Sequence, residues 1–414
     1  MRDLLLPSSP GFWRSPVRGP WFTSVLGVVL LGGITVLFVT GLLSYAAYNP
    51  GLSPVNDKTP DKGLLGFYLF AWPTDPHWLY RLTQGVHVTL GITLIPVLLA
   101  KLWSVVPKLF ALPPARSLAH ALERISLLLL VGGALFEFTT GVLNVQLDYV
   151  FPGSFYPLHF YGAWVFFAAF VTHAVLRVPA ALRNLRHMRE QHRPEEGELV
   201  SPDPVLPTVS RRGALGFVGG GSLLLFATTA GRSFDGPLRE TAVLAPHGGP
   251  EPGSGPGGFQ INKTAASRGI SAMETSEEAW RLVVEGHGRT VRLSRTDLLR
   301  LPLHSAALPI ACVEGWSTSD QWWRGVRLRD LAALVGYEAD AAPDVLVESL
   351  QRHGAFRRAA LRDNQVRDER SLLALFVNGE PLTPDHGYPA RVIVPAAPGV
   401  LNTKWVARMT FGDL

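Results

Sequence analysis

Residues 210–231, SRRGALGFVGGGSLLLFATTAG, divide the 414-residue sequence into two parts of different composition. Residues 1–231 are dominated by apolar runs, whereas the remainder has the mixed composition of a soluble protein. Arg211 and Arg212 precede a weakly apolar, glycine-rich run, which is the pattern of a twin-arginine export signal placed inside the chain. Stop-transfer charges before an ordinary membrane helix would give the same pattern. Either interpretation places the residues after about Arg232 outside the cytoplasm.

Four further apolar runs are long enough to cross a bilayer as helices, which takes about 20 residues. They cover residues 22–48, 78–102, 125–146 and 158–181, and the fifth, shorter run covers residues 213–231. Together they predict an all-α transmembrane four-helix bundle followed by a fifth transmembrane helix.

Basic residues predict the orientation of these spans, because cytoplasmic loops are enriched in lysine and arginine. The first span is preceded by Arg2, Arg14 and Arg18, and Lys101, Lys108, Arg116 and Arg124 lie between the second and third spans. The fourth span is followed by Arg177, Arg183, Arg186, Arg189 and Arg193. In the opposite loops, Lys58 and Lys62 are balanced by Asp57, Asp61 and Asp75. The N-terminus is therefore predicted in the cytoplasm, and the net charge of +5 reflects membrane topology rather than a nucleic-acid partner.

The sequence as a whole predicts a multi-domain protein of the inner membrane. We expect a cytoplasmic N-terminus (1–20), a four-helix membrane domain (21–186), a cytoplasmic linker (187–209) and a fifth span (210–232). A flexible tether rich in glycine and proline (233–258) then leads to an extracytoplasmic domain (259–414). In that domain the runs WRLVVEG, HSAALPIACVEG, VLVESL, LLALFVNG, ARVIVPA and KWVARMTF predict strands, and RLRDLAALVG predicts a helix, so the fold is α+β.

Cys312, the only cysteine of the chain, lies in the stretch LPIACVEGWSTSDQWW at residues 308–323. One thiol cannot form an intramolecular disulfide, so it is either a ligand or a small hydrophobe of the core. A second stretch, residues 378–411, contains a strand and the turn APGV, whose backbone amides suit an anion. His386, Arg391 and Lys404 bracket this turn with donors that suit a phosphate, although a surface salt-bridge cluster would also explain them.

The runs CVEGWS and HGYPARVIVP…KWV resemble the sulfite oxidase family of molybdenum enzymes, in particular the bacterial branch that includes the periplasmic methionine sulfoxide reductase catalytic subunit. The resemblance covers about residues 259–414. It implies that Cys312 supplies a thiolate to Mo-molybdopterin, a cofactor that carries out oxygen-atom transfer. The residues implied to hold the pterin and its phosphate are His386, Arg391, Asn402, Thr403 and Lys404 in the second stretch, and Asn262, Lys263 and Thr264 in the upstream stretch GFQINKTAA.

Two features near Cys312 bear on the substrate. Sulfite oxidases carry arginines directly after the metal cysteine, whereas this chain has Val313, Glu314 and Gly315, which disfavours sulfite as the substrate. The side chains of Trp316, Trp322, Trp323 and Arg324 can line the mouth of the pocket, or the aromatic ones can pack in the core.

Histidines in the apolar spans are functional candidates, because buried imidazoles are costly unless they are paired. His87 lies in the second span, His120 opens the third, and His159 and His173 lie in the fourth. The last two are 173 − 159 = 14 residues apart, which places them on one helix face about 21 Å apart along the axis. This spacing suits two stacked b haems, with His87 as the best partner of His159 for the outer one.

The pattern resembles the four-helix cytochrome b subunits of formate dehydrogenase over about residues 18–186, which implies haem b. That family takes an inner-haem ligand from the first helix, where this chain has Trp21 and no histidine. A second haem would need His173 to recruit His120; otherwise His173 is simply hydrogen-bonded, and the outer pair can also be satisfied without haem. Glu137 in the third span can relay protons for a quinone or bond to a neighbouring helix.

These observations predict a molybdopterin oxidoreductase of the cell membrane that exchanges electrons with the quinone pool through haem b. We expect it to reduce an S- or N-oxide. The alternatives are oxidation of a small sulfur compound with delivery of electrons to quinone, and a metal-free binding or electron-transfer protein. Membrane lipid, quinone and a small-molecule oxide or sulfur compound are the expected partners, with room for a soluble redox partner and none for nucleic acid.

Overall fold

The computed structural model describes residue 7 and residues 12–56, 70–110, 117–145, 155–186, 205–234, 236–245, 255–354 and 356–414. Several predictions lie outside these ranges, among them most of the 187–209 linker, residues 246–254 of the tether, and the charges at Lys58, Lys62, Arg189 and Arg193. The chain forms two compact units. Unit 1 contains residues 1–39 and 88–227, and unit 2 contains residues 40–87 and 228–414.

Five helices of the described chain are long and apolar enough to cross a membrane, as the sequence predicted. They are α1 (Pro20–Ala47), α2 (Leu79–Leu109), α3 (Leu118–Asn144), α4 (Tyr156–Arg186) and α5 (Arg211–Ala227). Helices α2, α3 and α4 extend beyond the predicted apolar runs into flanking sequence that contains charged residues.

Helix packing in unit 1 follows the spacing of large apolar residues. Phe22, Leu26, Leu30 and Ile34 recur every four residues and therefore share one face of α1. This face belongs to a buried cluster that also contains Leu94, Val97 and Leu98 of α2, Ala134 of α3, and Phe166 and Phe170 of α4. The contacts join the four helices into the predicted bundle.

Unit 2 contains two five-stranded sheets among its described residues. The strands are β1 (Leu282–Gly286), β2 (Arg289–Leu293), β3 (His304–Leu308), β4 (Gln321–Arg327), β5 (Val345–Ser349), β6 (Arg358–Leu361), β7 (Leu372–Val377), β8 (Glu380–Pro381), β9 (Arg391–Ile393) and β10 (Val406–Phe411). The first sheet has the order β2-β1-β10-β5-β6, and the second sheet has the order β3-β4-β7-β8 with β9 paired to β7. Four short helices complete it: α6 (Leu238–Thr241), α7 (Arg295–Arg300), α8 (Leu328–Leu334) and α9 (Asp363–Arg367).

The apolar pattern explains these elements. Strand β7 is almost continuously apolar and buried, because it lies between β4 and β9 in the interior. The six predicted strand runs and the predicted helix, α8, are present, so the helix-plus-sheet fold of this domain is confirmed. Strands β2, β4, β6 and β8 were missed, because each contains a charged residue that weakens its apolar pattern.

Residues 40–87 pack with residues 228–414 through buried hydrogen bonds. Asn49 donates to the carbonyl of Ala360 at 3.1 Å, and the amide of Ala360 donates to Asn56 at 2.6 Å. The indole of Trp72 donates to the carbonyl of Ala396 at 2.7 Å. The segment that joins the first two spans is thus built into the same unit as both sheets, an arrangement that the boundaries drawn from sequence do not contain.

Candidate functional site

Cys312 lies in a short hairpin that follows β3. Ala311 forms an antiparallel bridge to Ser317, and the amide of Cys312 donates to the carbonyl of Trp316 at 2.8 Å. Gly315 adopts a φ of 87°, a left-handed conformation that favours glycine. The thiol is 3% exposed and lines a cavity with an empty volume of about 640 Å³, part of it open to solvent. The only sulfhydryl of the chain therefore faces a pocket from a rigid turn.

The surroundings of the thiol keep it protonated in the absence of a metal. Burial raises the pKa of Cys312 well above its ordinary value, and the nearby Glu314 carboxylate raises it further. The Glu314 carboxylate accepts hydrogen bonds from the Cys312 thiol at 3.2 Å and from the Trp316 indole at 2.9 Å. Asn262 donates to the sulfur at 3.4 Å. A thiolate here would need a cation in place of the proton, which is how metal binding couples to deprotonation.

The same cavity is lined by all five residues predicted from the second motif, which are His386, Arg391, Asn402, Thr403 and Lys404. The two cationic side chains donate to main-chain carbonyls. Arg391 donates to His386 at 3.1 Å and to Asn402 at 3.2 Å, and Lys404 donates to Lys263 at 2.6 Å and to Asp385 at 2.7 Å. These bonds hold the side chains in place without neutralising their charge.

Charge and hydrogen bonding in this part of the cavity favour a bound anion. Burial lowers the pKa of Arg391 to about 9, and burial together with Arg391 and Lys263 lowers the pKa of Lys404 well below its ordinary value. Burial lowers the pKa of His386 to about 4, and the positive charges of Arg391 and Lys404 contribute to this lowering. An anion among these groups would relieve their mutual repulsion.

Four buried polar atoms of the cavity have no hydrogen-bond partner among the described residues. They are Nε2 of His386, Nε of Arg391, Nδ2 of Asn402 and Oγ1 of Thr403. A buried donor without an acceptor costs about 1–3 kcal/mol, so a cluster of them indicates a polar group that completes the site. These donors suit the phosphate and the heterocyclic edge of a pterin, and the buried thiol suits a soft transition metal. The residues present therefore fit the implied cofactor.

A left-handed glycine lets the motif fold against itself. Gly387 has a φ of 109° and follows the short 3-10 helix Pro384–His386. A Cβ atom at this position would lie 3.1 Å from the Cβ atoms of Arg391 and Lys404. Only glycine combines this conformation with such close approach, which brings His386, Arg391 and Lys404 to one wall.

The upstream loop is divided between the cavity and its surroundings. Asn262 and Lys263 line the cavity. Thr264 is not among the lining residues of the described chain; its hydroxyl accepts a hydrogen bond from the amide of Ser267 at 3.2 Å and so stabilises the next turn.

The tryptophans near Cys312 lie in different surroundings, and strand alternation explains the difference between the two on β4. Trp316 lines the cavity. Trp323 is fully buried in the core and donates to the carbonyl of Leu308 at 2.9 Å, whereas the neighbouring Trp322 is 55% exposed on the other face of β4. Arg324 is also exposed.

Sequence reasoning missed a second set of residues, which form hydrogen bonds to the main chain of the turn after Cys312. Gln84 of α2 donates to the carbonyl of Val313, and Ser233 donates to the carbonyl of Gly315. Arg239 donates to the carbonyl of Ser317 at 2.6 Å. Sequence offers no signal for such contacts, because Gln84 and Val313 are 229 positions apart.

The candidate haem ligands have defined partners within their own units. In unit 2, Nδ1 of His87 lies 3.1 Å from the hydroxyl of Thr40. In unit 1, Nδ1 of His159 lies 2.9 Å from the hydroxyl of Thr140 and 3.1 Å from a carboxylate oxygen of Glu137. His173 lies on α4 with His159 and is half-buried, and the side chain of His120 lies outside the described atoms. The pairing of His87 with His159 stays a prediction.

Comparison with known proteins identifies the domain that carries the cavity. Residues 269–413 match the family described as the oxidoreductase molybdopterin binding domain. The chain is 35% identical to the uncharacterized oxidoreductase YuiH of Bacillus subtilis over 133 residues, which cover 32% of this chain and 65% of YuiH. It is 32% identical to mitochondrial sulfite oxidase of Mus musculus over 146 residues, which cover 30% of this chain and 27% of that protein.

Among solved structures, the sulfane dehydrogenase SoxCD from Paracoccus pantotrophus is similar with 26% identity and a TM-score of 0.31, over 35% of this chain and 41% of that chain. The chain thus spans less than two thirds of the length of each of these proteins. The family match and the sequence relatives show that the C-terminal part of the chain is a molybdopterin-binding oxidoreductase domain. It is related to sulfite oxidase.

Proposed function

We propose that this protein is a membrane-bound molybdopterin oxidoreductase whose catalytic domain works outside the cytoplasm. In this proposal it takes electrons from quinol, passes them through a b-type haem held by histidines of the spans, and reduces an S- or N-oxide. The observation that carries the proposal is the cavity in which one buried thiol and four buried, unpartnered polar atoms converge.

Each wall of the cavity has a separate task in binding the cofactor. Cys312 would supply the protein thiolate at one end. At the other end Arg391, Lys404 and His386 would surround the phosphate, and Asn402 would donate to the pterin from its unpartnered amide. When bound, the cofactor supplies two-electron oxygen-atom transfer, and the protein orients it and excludes water.

The turn after Cys312 bears on the charge that the substrate carries. Glu314 is buried beside the sulfur and bonded to the Trp316 indole, in the place where sulfite oxidases carry arginine. A carboxylate at this position repels an oxyanion, and it leaves a neutral oxide as the better substrate.

Electron supply from the membrane is supported by the contacts of α2. Gln84 bonds to the residue after Cys312, and His87 lies three residues further along the same helix, about 4.5 Å along its axis. A haem bound at His87 would thus be connected to the metal ligand by one helical turn and one hydrogen bond. This helix is among the five that are long and apolar enough to cross a membrane.

The overall reaction balances with one quinol per oxide. A sulfoxide takes two electrons and two protons from quinol, its sulfur–oxygen bond breaks, and the products are a thioether, water and quinone. To test this, the full chain is purified in detergent from a host that makes molybdopterin, and quinol oxidation is followed on addition of methionine sulfoxide. We expect quinol and sulfoxide to be consumed in equal amounts.

Two other results would replace this proposal. Quinone reduction on addition of a thio-oxyanion, without sulfoxide turnover, would establish oxidation of a small sulfur compound. Absence of molybdenum from the purified protein would establish the metal-free alternative.

The Trp316→Phe variant tests whether Trp316, which lines the cavity, contacts the substrate. Trp322→Phe is its matched control, because Trp322 is exposed on β4. We expect only Trp316→Phe to change the KM for the oxide.

A further inference from the structure

Glu137 is a buried acidic residue of α3 that the reaction described above does not use. Its side chain is 6% exposed, in a helix that is long and apolar enough to cross a membrane. One carboxylate oxygen lies 3.1 Å from Nδ1 of His159 on α4, and the other, Oε1, has no hydrogen-bond partner among the described residues. Gly162 makes room for the carboxylate, since a Cβ atom there would lie 2.3 Å from Oε1.

The hydrogen bonds of Thr140 favour Nδ1 as the nitrogen of His159 that carries the proton. The Thr140 hydroxyl donates its hydrogen to a main-chain carbonyl, with that of Phe136 at 2.8 Å and that of Glu137 at 3.2 Å. With that hydrogen engaged, the hydroxyl oxygen can accept from Nδ1 of His159, 2.9 Å away. The Nδ1 atom therefore carries hydrogen, Glu137 also accepts from it, and a metal ion would be bound by Nε2.

His87 also lies against a threonine and a glycine. Thr40 lies 3.1 Å from Nδ1 of His87, as Thr140 does for His159. Each threonine is followed by a glycine that lies against Cε1 of its histidine: a Cβ atom at Gly41 would lie 3.2 Å from that of His87, and one at Gly141 would lie 3.4 Å from that of His159. Three residues before Thr140 stands Glu137, whereas three residues before Thr40 stands Leu37. The position three residues before the threonine is therefore acidic on α3 and apolar on α1.

We propose that Glu137 is the positioning residue of His159: its carboxylate holds the Nδ1–H group, fixes the ring with Nε2 toward the iron of a b haem, and stabilises the ferric state. This inference rests on the haem in the proposed function. A carboxylate behind a metal-bound imidazole makes it a more basic ligand. The unpartnered oxygen Oε1 is costly to bury, and the positive charge of an oxidised haem offsets that cost.

The expected effect is a change in the haem's redox equilibrium. Loss of an outer hydrogen-bond partner weakens metal binding by about 10- to 100-fold. If the affinity of the protein falls tenfold for ferric haem and not for ferrous haem, the midpoint potential rises by about 59 mV, which is the one-electron equivalent of a tenfold change. Glu137→Gln keeps an acceptor oxygen and removes the charge, whereas Glu137→Leu introduces the residue type that stands three positions before Thr40.

The test uses the full-length protein in detergent, with potentiometric titration of the haem α-band and electron paramagnetic resonance of the ferric state. We expect the midpoint potential to rise in Glu137→Gln and further in Glu137→Leu, with altered g-values and with haem retained at least in the former. Thr140→Val should raise it by less. Thr139→Val is the matched control, because Thr139 is its exposed neighbour on α3, and it should match the wild type.

The outcomes separate this inference from the function on which it rests. A wild-type protein that carries haem, with unchanged midpoint potential and g-values in both Glu137 variants, would overturn the role of Glu137 and leave the proposed function intact. A wild-type protein that binds no haem would overturn the haem itself and the inference with it.

Discussion

Replacement of His386 by glutamine should change how the stability of the cofactor-free protein depends on pH. Burial, with Arg391 and Lys404, lowers the pKa of His386 to about 4, whereas a histidine in an unfolded chain titrates near 6.5. As the pH falls below about 6.5 the unfolded chain takes up a proton at this residue, but the folded chain does so only near 4. The wild type therefore loses stability across this window.

The difference between a pKa of about 4 in the folded chain and about 6.5 in the unfolded chain corresponds to about 3 kcal/mol in total, of which about 2 kcal/mol develops between ~pH 7 and ~pH 5. His386 is 2% exposed, so solvent screening removes little of this. The assay is urea unfolding of the full chain, made in a host without molybdopterin and followed by tryptophan fluorescence. The difference in unfolding free energy between the two pH values should be about 2 kcal/mol larger in the wild type than in His386→Gln.

The exposed His353 provides the control, because solvent reaches its ring in both the folded and the unfolded state. His353→Gln should behave as the wild type. Equal pH dependence in the wild type and His386→Gln would refute the picture of a histidine held neutral beside buried cations.

Three further variants test separate parts of the site. The Lys404→Met variant should bind molybdopterin at least about tenfold more weakly than the wild type, as measured by retention of the cofactor on gel filtration, because a hydrogen bond to a charged group is worth about 1.5–3 kcal/mol. Full retention would show that the phosphate lies elsewhere. Gly379→Ala should cost the ~1–2 kcal/mol expected for a left-handed alanine, and Gly387→Ala should destabilise the domain by more. The reason is that a Cβ atom at residue 387 would also lie 3.1 Å from the Cβ atoms of Arg391 and Lys404, whereas nothing lies within 4 Å of one at residue 379. Equal losses of unfolding free energy in chemical denaturation would contradict this. Gln84→Leu should slow reoxidation of reduced haem by substrate in stopped-flow absorbance while leaving the haem spectrum unchanged, and an unchanged rate would remove Gln84 from the electron route.

Local sequence patterns were enough to predict the five apolar helices and the two motifs of the cavity. Long apolar runs gave the five spans, because a bilayer requires about 20 apolar residues and few other folds supply them. Within the catalytic domain, the motif around Cys312 and the motif from His386 to Lys404 each combine a strand with a glycine turn. Such turns place functional side chains at strand ends, and the structure brings both motifs to one cavity.

Contacts between distant segments could not be predicted in this way. The hydrogen bond of Gln84 to Val313 and the burial of Asn49 against Ala360 depend on how residues 40–87 pack, which no local pattern encodes. Alternation failed for β4, where the exposed Trp322 has the same apolar character as the buried Trp323. Thr264 stands beside two lining residues yet caps a turn, since a loop position alone does not tell which way a side chain points.

The most direct test of the account is the molybdenum content of the full-length protein and of Cys312→Ser, each purified from a host that makes molybdopterin and each analysed for haem in the same sample. We expect molybdenum equimolar with the wild-type chain, its loss together with turnover in Cys312→Ser, and equal haem in both. Molybdenum bound equally by the two proteins, or absent from the wild type, would contradict the assignment of Cys312 as the metal ligand.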